Sequence, residues 1–535
     1  MIQEKYDIAP LIAELQSPVA YPHPVQDIHV VQTHTSCVFL TGEYAYKIKK
    51  PVDFGFLDYS TLERRRVFCE QELRLNRRLC SDVYLDLVPI IRHQGQLQVG
   101  PPPPNAHDEI IEWAVRMRQM RESDMLPSRL RDGSMSRPLI EQLGHLLARF
   151  HAGAHTDDSV RAYGSPEAIA STIAFTLRTM QQVTQDTPQA ETYHALQTYF
   201  ECFQRERVAL FQKRLHTNRI RDCHGDLRAQ NICLDPRFGE GIQIFDCIEF
   251  NPSLRYIDTA ADIAYLAMDL DLSGHSEMRA SLMEIYCKEA GDDAIAEILP
   301  FYLAYRAMVR GNIALLAAGE REMPLAEREA QRALALTAYD LAWSYTHLPA
   351  RPTLLITVGY SGSGKSTLAQ ALCRRLPAIH LSSDQLRKER AGVALESVLQ
   401  ATQYTVERRE EIYDLLRQRA TSWLAQGARV LLDATFLDPV QRQRTQDFAE
   451  AHDADLWVID CRCPEEEIRR RLMARHTDPN GSDADLDIYL HQRQRYDSSL
   501  PTPWEFMPPA HYIRAEMTSP IEELAHQIVF TLAGG

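Results

Sequence analysis

The apolar pattern near the start of the chain alternates as strands do and then changes to helical spacing. Two apolar runs at 37–40 and 44–49 flank the turn Thr41-Gly42-Glu43, a pattern that predicts a β-hairpin. Residues 60–79 follow with a Ser-Thr-Leu-Glu opening and apolar residues at helical spacing, which predicts a helix. After a proline-rich loop, residues 110–117 return to strand character.

Helical spacing dominates the middle of the chain. It extends from about residue 136 to 213 and again from 258 to about 345, with short strands between, near 232–234 and 241–245. Strands that come first and helices that come later predict an α+β domain over residues 1–345.

The last third of the chain has a different order of elements. Two prolines within residues 346–352 predict a linker. Beyond it the apolar pattern predicts strands at 353–358, 428–432 and 455–460 and helices at 365–375 and 405–426. This alternation is typical of a parallel sheet with helical crossovers, so we expect a separate α/β domain over residues 353–535.

Composition narrows the class of protein further. The 535 residues are 45% hydrophobic and 24% charged, as in ordinary globular proteins, and the net charge of -15 argues against bulk attraction to nucleic acid. The first residues lack the order of a secretory signal, and no apolar run approaches membrane-spanning length, so we expect a cytoplasmic protein without membrane contact. The 11 cysteines lack paired CxxC spacing, which favours reduced thiols. The sequence does not indicate an oligomeric state.

A P-loop motif follows the first predicted strand of the C-terminal domain. The predicted nucleotide-binding residues are Gly359, Ser361, Gly362, Ser363, Gly364, Lys365, Ser366 and Thr367. Glycines let successive backbone N–H groups face phosphate oxygens at the N-terminus of a helix. We expect Lys365 to meet the β- and γ-phosphates and the Ser366 hydroxyl to bind Mg²⁺.

Five further residues of this domain carry candidate chemistry. Asp384 and Arg387, at a strand-to-helix junction, would accept a hydroxyl proton and hold a phosphate, or else form a helix cap beside a solvated arginine. Asp433 ends an apolar strand and would orient Mg²⁺ or cap the strand. Arg471 and Arg475 share a helical face suited to a phosphate-clamping lid, or to an ordinary solvated surface.

These segments together resemble a known group of enzymes. Gly359 to Thr367, Ser383-Asp384-x-x-Arg387 and Leu432-Asp433-Ala-Thr435 are similar to P-loop kinases related to polynucleotide kinase, with gluconate-type kinases and zeta toxins as neighbouring groups. The resemblance implies an acceptor hydroxyl engaged by the matching Asp and Arg, and it leaves the identity of that acceptor open.

A second set of phosphotransfer residues lies in the N-terminal domain. His224-Gly225-Asp226 is followed by Asn231 and then by Asp246, which is the spacing of a kinase catalytic loop and its metal-binding aspartate. We expect Asp226 to orient and deprotonate a hydroxyl, and Asn231 and Asp246 to bind Mg²⁺.

A kinase site also needs a lysine on the third strand and an acid on the following helix. Lys47 fits the lysine, with Lys49 on the same face as the alternative. Glu72 fits the acid, with Glu70 as the alternative. Either acid would otherwise form an exposed ion pair.

Residues 30–345 resemble the aminoglycoside phosphotransferase and choline kinase branch of the protein-kinase-like fold. The resemblance rests on HGDxxxxN and the later aspartate, and the expected glycine-rich phosphate loop is replaced by Thr33-His-Thr-Ser36. Asp258, in the segment after the metal aspartate, would anchor the catalytic loop or cap the next helix.

The order of the two domains is similar to bacterial proteins described as bifunctional aminoglycoside phosphotransferase and ATP-binding protein. We therefore expect two nucleotide sites that use ATP, with GTP as the alternative, and Mg²⁺. The acceptor would be a hydroxyl of a small molecule or of a nucleic-acid end. Two alternatives stay open: a polynucleotide or RNA 5′-hydroxyl kinase acting through the C-terminal domain, and a nucleotide-sensing regulatory or toxin-neutralising protein.

Overall fold

The structure is a computed structural model that describes residues 8–55, 57–100, 109–185, 190–320, 323–393, 406–475, 486–496 and 511–533. Contacts divide the chain into two compact units. The first unit contains Met1–Ser171, Arg207–Leu266 and Ser281–Leu299, and the second contains Thr172–Glu206, Ala267–Ala280 and Pro300–Gly535.

The first unit is built on a six-stranded antiparallel sheet. Its strands are β1 (His29–Gln32), β2 (Ser36–Leu40), β3 (Tyr44–Lys49), β4 (Tyr84–His93), β5 (Gln96–Val99) and β6 (Glu109–Arg118), in the spatial order β1-β2-β3-β6-β4-β5. The predicted hairpin is confirmed, since β2 pairs with β3 and Leu40 lies opposite Ala45. The β3–β6 pairing places β3 inside the sheet, which positions its side chains for the site described below.

The predicted helix after the hairpin is confirmed as α2 (Leu62–Asn76), preceded in the chain by α1 (Ala9–Glu14). The Thr61 side chain caps α2 by accepting a hydrogen bond from the Arg64 N–H. Cys69 and Leu73 of α2 pack in an apolar cluster with Val115 of β6. The buried face of α2 also carries Glu72, so this helix brings an acid as well as apolar side chains to the sheet.

Helices make up most of the remaining chain before residue 350. They are α3 (Leu126–Arg131), α4 (Arg137–Gly153), α5 (Asp158–Arg161), α6 (Pro166–Thr184), α7 (Ala190–Glu206), α8 (Val208–His216), α9 (Thr259–Leu272), α10 (Ser276–Ala290), α11 (Ile295–Ala318) and α12 (Leu325–His347). Two short antiparallel pairs lie among them: β7 (Ile220–Asp222) with β10 (Tyr256–Asp258), and β8 (Ile232–Cys233) with β9 (Gln243–Ile244). Among the described residues no helix is long and apolar enough to cross a membrane.

A five-stranded parallel sheet forms the core of the C-terminal part, as predicted. Its strands are β11 (Thr353–Val358), β12 (Ala378–Ser382), β13 (Arg429–Asp433), β14 (Asp455–Arg462) and β15 (Tyr512–Glu516), in the order β12-β13-β11-β14-β15. The helices are α13 (Lys365–Cys373), α14 (Ser383–Ala391), α15 (Val406–Ala425), α16 (Pro439–Ala451), α17 (Glu465–Arg475), α18 (Leu486–Tyr496) and α19 (Ile521–Leu532). Every residue of the central strand β11 is buried, so its carboxyl end fixes the position of the P-loop.

The boundaries between the two compact units do not coincide with the predicted linker. Helix α12 ends at His347, two residues inside the predicted linker 346–352. Its Asp340 pairs with the fully buried Arg375, at 2.9 Å from Nε to Oδ2, and its Trp343 stacks on Phe530 of α19 with ring centroids 4.4 Å apart. These contacts join α12 to the P-loop region. The boundary near residue 350 stays a prediction from sequence.

Candidate active sites

The P-loop connects β11 to α13 through residues that need glycine. Gly359 has φ +147°, and a Cβ there would lie 2.8 Å from the backbone oxygen of Cys461. Gly362 has φ +83°, and Gly364, at the N-cap of α13, has φ +102°. Side chains other than glycine rarely adopt these conformations, so the loop conformation follows directly from the glycine spacing.

The polar groups of the P-loop fit a phosphate ligand. Lys365 lies at the first turn of α13, and its Nζ donates to the Tyr360 carbonyl at 2.7 Å. The Ser363 hydroxyl is buried and has no hydrogen-bond partner among the described residues. An orphaned hydroxyl at a helix N-terminus fits a ligand that brings its own acceptor oxygens.

Asp433 lies at the carboxyl end of β13, next to the P-loop strand. The Thr357 hydroxyl donates to its Oδ1 at 3.3 Å, and His380 Nε2 lies 3.6 Å from its Oδ2. Burial would raise the pKa of Asp433, but interactions with His380 and Ser366 more than offset this and hold it below its ordinary value. An ionised carboxylate beside the Ser366 hydroxyl is a donor set that fits Mg²⁺.

Asp384 and Arg387 both lie on α14, whose first residue follows β12 directly. The N-cap is Ser382, whose hydroxyl accepts the Asp384 N–H at 3.3 Å, so the alternative of Asp384 as the capping residue is wrong. Arg387 Nη1 and Lys388 Nζ each lie 3.7 Å from the Asp384 carboxylate. The site thus contains the Asp384 carboxylate and two cationic side chains, Arg387 and Lys388. The sequence motif assigns no role to Lys388.

Arg471 reaches the P-loop from α17. Its Nη1 donates to the Ser363 carbonyl at 3.2 Å, and its Nη2 donates to the Met517 carbonyl at 2.7 Å. Its Nε also binds Glu467 at 2.7 Å, so this guanidinium is tied to the loop's backbone rather than solvated. The side chain of Arg475, the second predicted lid residue, lies outside the described residues.

In the first unit, Lys47, Glu72 and Asp246 form one charged cluster. Lys47 Nζ lies 2.8 Å from Glu72 Oε1 and 2.7 Å from Asp246 Oδ1. Burial lowers the pKa of Lys47, but the two carboxylates outweigh that effect and raise it well above its ordinary value. The ammonium holds the pKa of Asp246 at about 2. Burial would raise the pKa of Glu72, but Lys47 and Lys49 outweigh that effect and hold it below its ordinary value, so all three groups are charged at neutral pH.

Both of the lysines that the sequence left as alternatives contact Glu72. Lys49 Nζ lies 2.7 Å from Glu72 Oε2 and also binds Glu249, which follows Asp246 by three residues. Glu70 instead forms an exposed pair with Arg66 at 3.0 Å. The sequence reading missed Glu249, although an acid placed three residues after a candidate metal ligand was a visible signal.

The loop His224 to Asn231 places Asp226 beside Asn231 and Arg228. The Asn231 amide nitrogen donates to Asp226 Oδ2 at 3.0 Å, and Arg228 Nη2 donates to the same oxygen at 2.8 Å. Sequence reasoning missed Arg228, which lies inside the motif but outside its defining positions. A carboxylate held by two donors has a fixed direction, as an acceptor of a substrate proton requires.

Asp262 of α9 anchors this loop, which corrects the role expected of Asp258. Asp262 accepts the backbone N–H groups of His224 and Gly225, both at 2.9 Å. Asp258 accepts the Ala260 N–H at 2.8 Å and pairs with Arg214. The helix-cap alternative for Asp258 therefore holds, because its position at the start of α9 directs its carboxylate to the first turn.

Asp246 is in a strained backbone conformation, with φ +62°. A non-glycine residue there needs support from its surroundings, and the next residue, Cys247, donates its N–H to Asn76 Oδ1 at 2.9 Å. The Asp246 side chain is 44% exposed, so this carboxylate can reach a ligand while one oxygen binds Lys47. Together with the amide oxygen of Asn231 it offers the oxygen donors that Mg²⁺ prefers.

The turn Thr33 to Ser36, between β1 and β2, is held by a side-chain hydroxyl. The Thr33 hydroxyl accepts the N–H of Ser36 at 3.0 Å and that of Thr35 at 3.4 Å. A hydroxyl used in this way shapes the β1–β2 turn.

Comparison with known proteins places the chain in a family. The AAA domain family matches residues 354–499, which contain the P-loop, Asp384 and Asp433. Over 482 residues the chain is 30% identical to two proteins described as uncharacterized, Rv2004c of Mycobacterium tuberculosis and Mb2027c of Mycobacterium bovis. This similarity covers 88% of the chain and 92% of each relative. The chain belongs to their family. Membership extends over both compact units, since the matched length exceeds the P-loop region.

Two solved structures are similar to part of the chain. A gluconokinase from Sinorhizobium meliloti 1021 is 18% identical, and the match covers 34% of this chain and 92% of that one, with a TM-score of 0.25. The Mycobacterium tuberculosis APS kinase CysC in complex with AMPPNP and APS is 21% identical, with 34% and 99% covered and a TM-score of 0.25.

Proposed function

We propose that this protein is an ATP- and Mg²⁺-dependent phosphotransferase with two nucleotide sites, each of which moves a γ-phosphoryl group to a hydroxyl acceptor. GTP is the alternative nucleotide. The observation that carries the proposal is the charged cluster of the first unit, where Lys47 lies within 2.8 Å of Glu72 and 2.7 Å of Asp246. A lysine oriented by an acid, beside a metal-binding aspartate, is the arrangement by which kinases hold nucleotide phosphates.

In the N-terminal site, proposed to be of the aminoglycoside phosphotransferase and choline kinase type, each group has a separate task. Lys47 would bind phosphate oxygens, while Glu72 fixes the direction of its ammonium. Asp246 and Asn231 would hold Mg²⁺, which supplies charge neutralisation between the phosphates. Asp226 would accept the proton of the acceptor hydroxyl, whose oxygen attacks the γ-phosphorus as the bond to the bridging oxygen breaks.

In the C-terminal site, most of the groups proposed to bind phosphate are backbone N–H groups. The N–H groups of the loop Gly359 to Ser366 would surround the phosphates, with Lys365 as the mobile charge. Asp433 and the Ser366 hydroxyl would hold Mg²⁺. Asp384 would accept the acceptor's proton, and Arg387 would bind an anionic group of that acceptor.

The direct test is transfer of label from γ-labelled ATP to pools of small alcohols, to 5′-hydroxyl oligonucleotides and to the protein itself. Asp226→Ala should abolish transfer at the N-terminal site and Asp384→Ala at the C-terminal site. The control is Asp447→Ala, which removes an exposed acid that accepts a hydrogen bond from Gln443 on the same helix. Transfer that survives in the double variant Asp226→Ala/Asp384→Ala would contradict the assignment of these two residues as catalytic.

A second candidate, a 5′-hydroxyl polynucleotide kinase acting through the C-terminal site, is favoured by one observation. Arg387 and Lys388 both lie beside Asp384, so a phosphate next to the reacting hydroxyl would meet two cations. Label on oligonucleotides alone would select this candidate. Nucleotide binding without transfer to any acceptor would select a nucleotide-sensing regulatory protein instead.

A further inference from the structure

The P-loop carries a contact that its motif does not predict. Gln492 of α18 places its amide against Ser361, the third residue of the loop. Its Oε1 accepts the Ser361 N–H at 3.0 Å, and its Nε2 donates to the Ser361 hydroxyl at 2.9 Å. One side chain 131 residues away thus contacts both the backbone N–H and the hydroxyl of Ser361.

The helix that presents Gln492 is fixed to the P-loop region by packing. Tyr489, one turn earlier on α18, is fully buried with Ile468 and Leu472 of α17, and its ring meets that of Tyr360 edge-on at 5.8 Å. Arg493 Nη1 also binds Glu465 at 2.9 Å. The amide is therefore held against the loop by a helix with its own core contacts.

Gln492 uses one of the backbone donors of the P-loop. Backbone N–H groups of a P-loop donate to phosphate, and the Gln492 carbonyl oxygen accepts one of them here. Lys365 likewise donates to the carbonyl of Tyr360, within the same loop. A neutral amide is a weaker acceptor than an anionic phosphate oxygen, since charge-assisted hydrogen bonds are about twice as strong.

We propose that Gln492 is a specificity-determining residue of the P-loop, whose amide stands in for a phosphate oxygen at Ser361 and must be displaced by the ligand. Polyphosphate ligands displace it because they bring anionic acceptors, whereas ligands that lack a phosphate at this position leave it in place. The proposal rests on nucleotide binding at the P-loop and is independent of the acceptor.

The test compares two substitutions at Gln492 with the same substitutions at Gln494, which is exposed on the same helix. Binding of ATP and of inorganic triphosphate to the full chain is measured by calorimetry, and the P-loop component is the part lost in Lys365→Ala. Gln492→Ala removes the competing acceptor and should tighten both ligands by about 2- to 10-fold. Gln492→Glu supplies an anionic competitor and should weaken both, while Gln494→Ala and Gln494→Glu should bind as the natural chain does.

Each outcome decides a separate point. P-loop binding that is unchanged or weaker in Gln492→Ala would overturn this inference and leave the proposed function intact, because the amide would then be inert or a direct contact to nucleotide. Absence of Lys365-dependent binding in both the natural chain and Gln492→Ala would overturn the proposed nucleotide site and this inference together. Binding that appears only in Gln492→Ala would support the inference most strongly.

Discussion

The two candidate sites differ in where their parts come from along the chain. The P-loop site draws its proposed phosphate-binding groups from consecutive residues, Gly359 to Ser366. The N-terminal site joins residues as distant as Lys47 and Asp246, which are 199 positions apart. A site made from one loop depends on local backbone conformation. A site made from distant segments depends on the buried charges that hold those segments together.

Because of this difference, substitutions at the two sites should affect stability to different extents. In the N-terminal site Glu72 contacts both Lys47 and Lys49, and Lys49 also holds Glu249, so the groups proposed to act on nucleotide are joined to groups that hold the fold. In the P-loop site, Lys365 donates to the backbone carbonyl of Tyr360 within the same loop. We expect substitutions to affect stability in the first site and chiefly ligand binding in the second.

The largest effect should come from the proposed base. Asp226→Asn keeps the size of the side chain but removes the proton acceptor, so transfer at the N-terminal site should fall by about 10²- to 10⁴-fold. Single-turnover transfer from labelled ATP measures the loss. ATP binding that depends on Lys365 should be unchanged in the same variant. A loss at both sites would contradict the separation of the two centres.

Next, Lys49→Met should destabilise the protein by about 3–5 kcal/mol, because it leaves the carboxylates of Glu72 and Glu249 buried with too little positive charge. Lys365→Met should cost less, about 1 kcal/mol, because the acceptor Tyr360 O is a neutral backbone carbonyl and not a pair of buried carboxylates. Urea unfolding of both variants measures the difference, with Lys50→Met as the control. Equal losses for Lys49→Met and Lys365→Met would break the comparison between the sites.

A backbone substitution should affect the P-loop site alone. Gly359→Ala places a Cβ 2.8 Å from the Cys461 backbone oxygen at φ +147°, so it should cost about 1–3 kcal/mol and remove Lys365-dependent nucleotide binding. Gly153→Ala, at the end of α4 with open space around it, should instead stabilise by about 0.4–1 kcal/mol. Thermal melts and ATP titration follow the two effects. Normal nucleotide binding by Gly359→Ala would refute the backbone account.

The smallest expected effect is on the dependence of stability on pH. The hydrogen bond to Asp340, at 2.7 Å, raises the pKa of His526 above its ordinary value. A raised pKa means that the folded state favours the protonated ring, so this stabilisation is full below about pH 6.5 and is lost as pH rises through the higher folded pKa. His526→Gln should remove about 1 kcal/mol or less at pH 5.5 and nearly nothing at about pH 9.

Urea unfolding at both pH values tests this, with the exposed His194→Gln as the control. The contact joins α12 to α19, so the effect reports on the C-terminal part of the chain. A loss in His526→Gln that is the same at both pH values would show that the ring packs there without the charge.

The same difference between the two sites explains how much of each could be predicted from the sequence. The glycine spacing of the P-loop fixes its conformation, so the loop, its strand and its helix could all be predicted. Alternation alone could not decide between Lys47 and Lys49, since both lie on one face of β3 and Glu72 lies between them. The contact of Gln492 with Ser361 has no local signal, because it depends on how α17 and α18 pack.

The role of Asp262 was missed for a related reason. Asp258 and Asp262 lie four residues apart, and only the start of α9 decides which carboxylate faces the loop at His224. Periodicity places helix ends less well than helix interiors. Functional side chains at element boundaries are therefore the ones that a pattern assigns least well.

The central claim is that one chain holds two independent nucleotide sites, and the stoichiometry of ATP binding tests it most directly. Calorimetric titration with ATP and Mg²⁺ should give two equivalents for the natural chain, one for Lys365→Ala, one for Lys47→Met and none for the double variant. A single equivalent in the natural chain that is lost completely in Lys365→Ala would contradict the account, because Lys47, Glu72 and Asp246 would then form a structural cluster only.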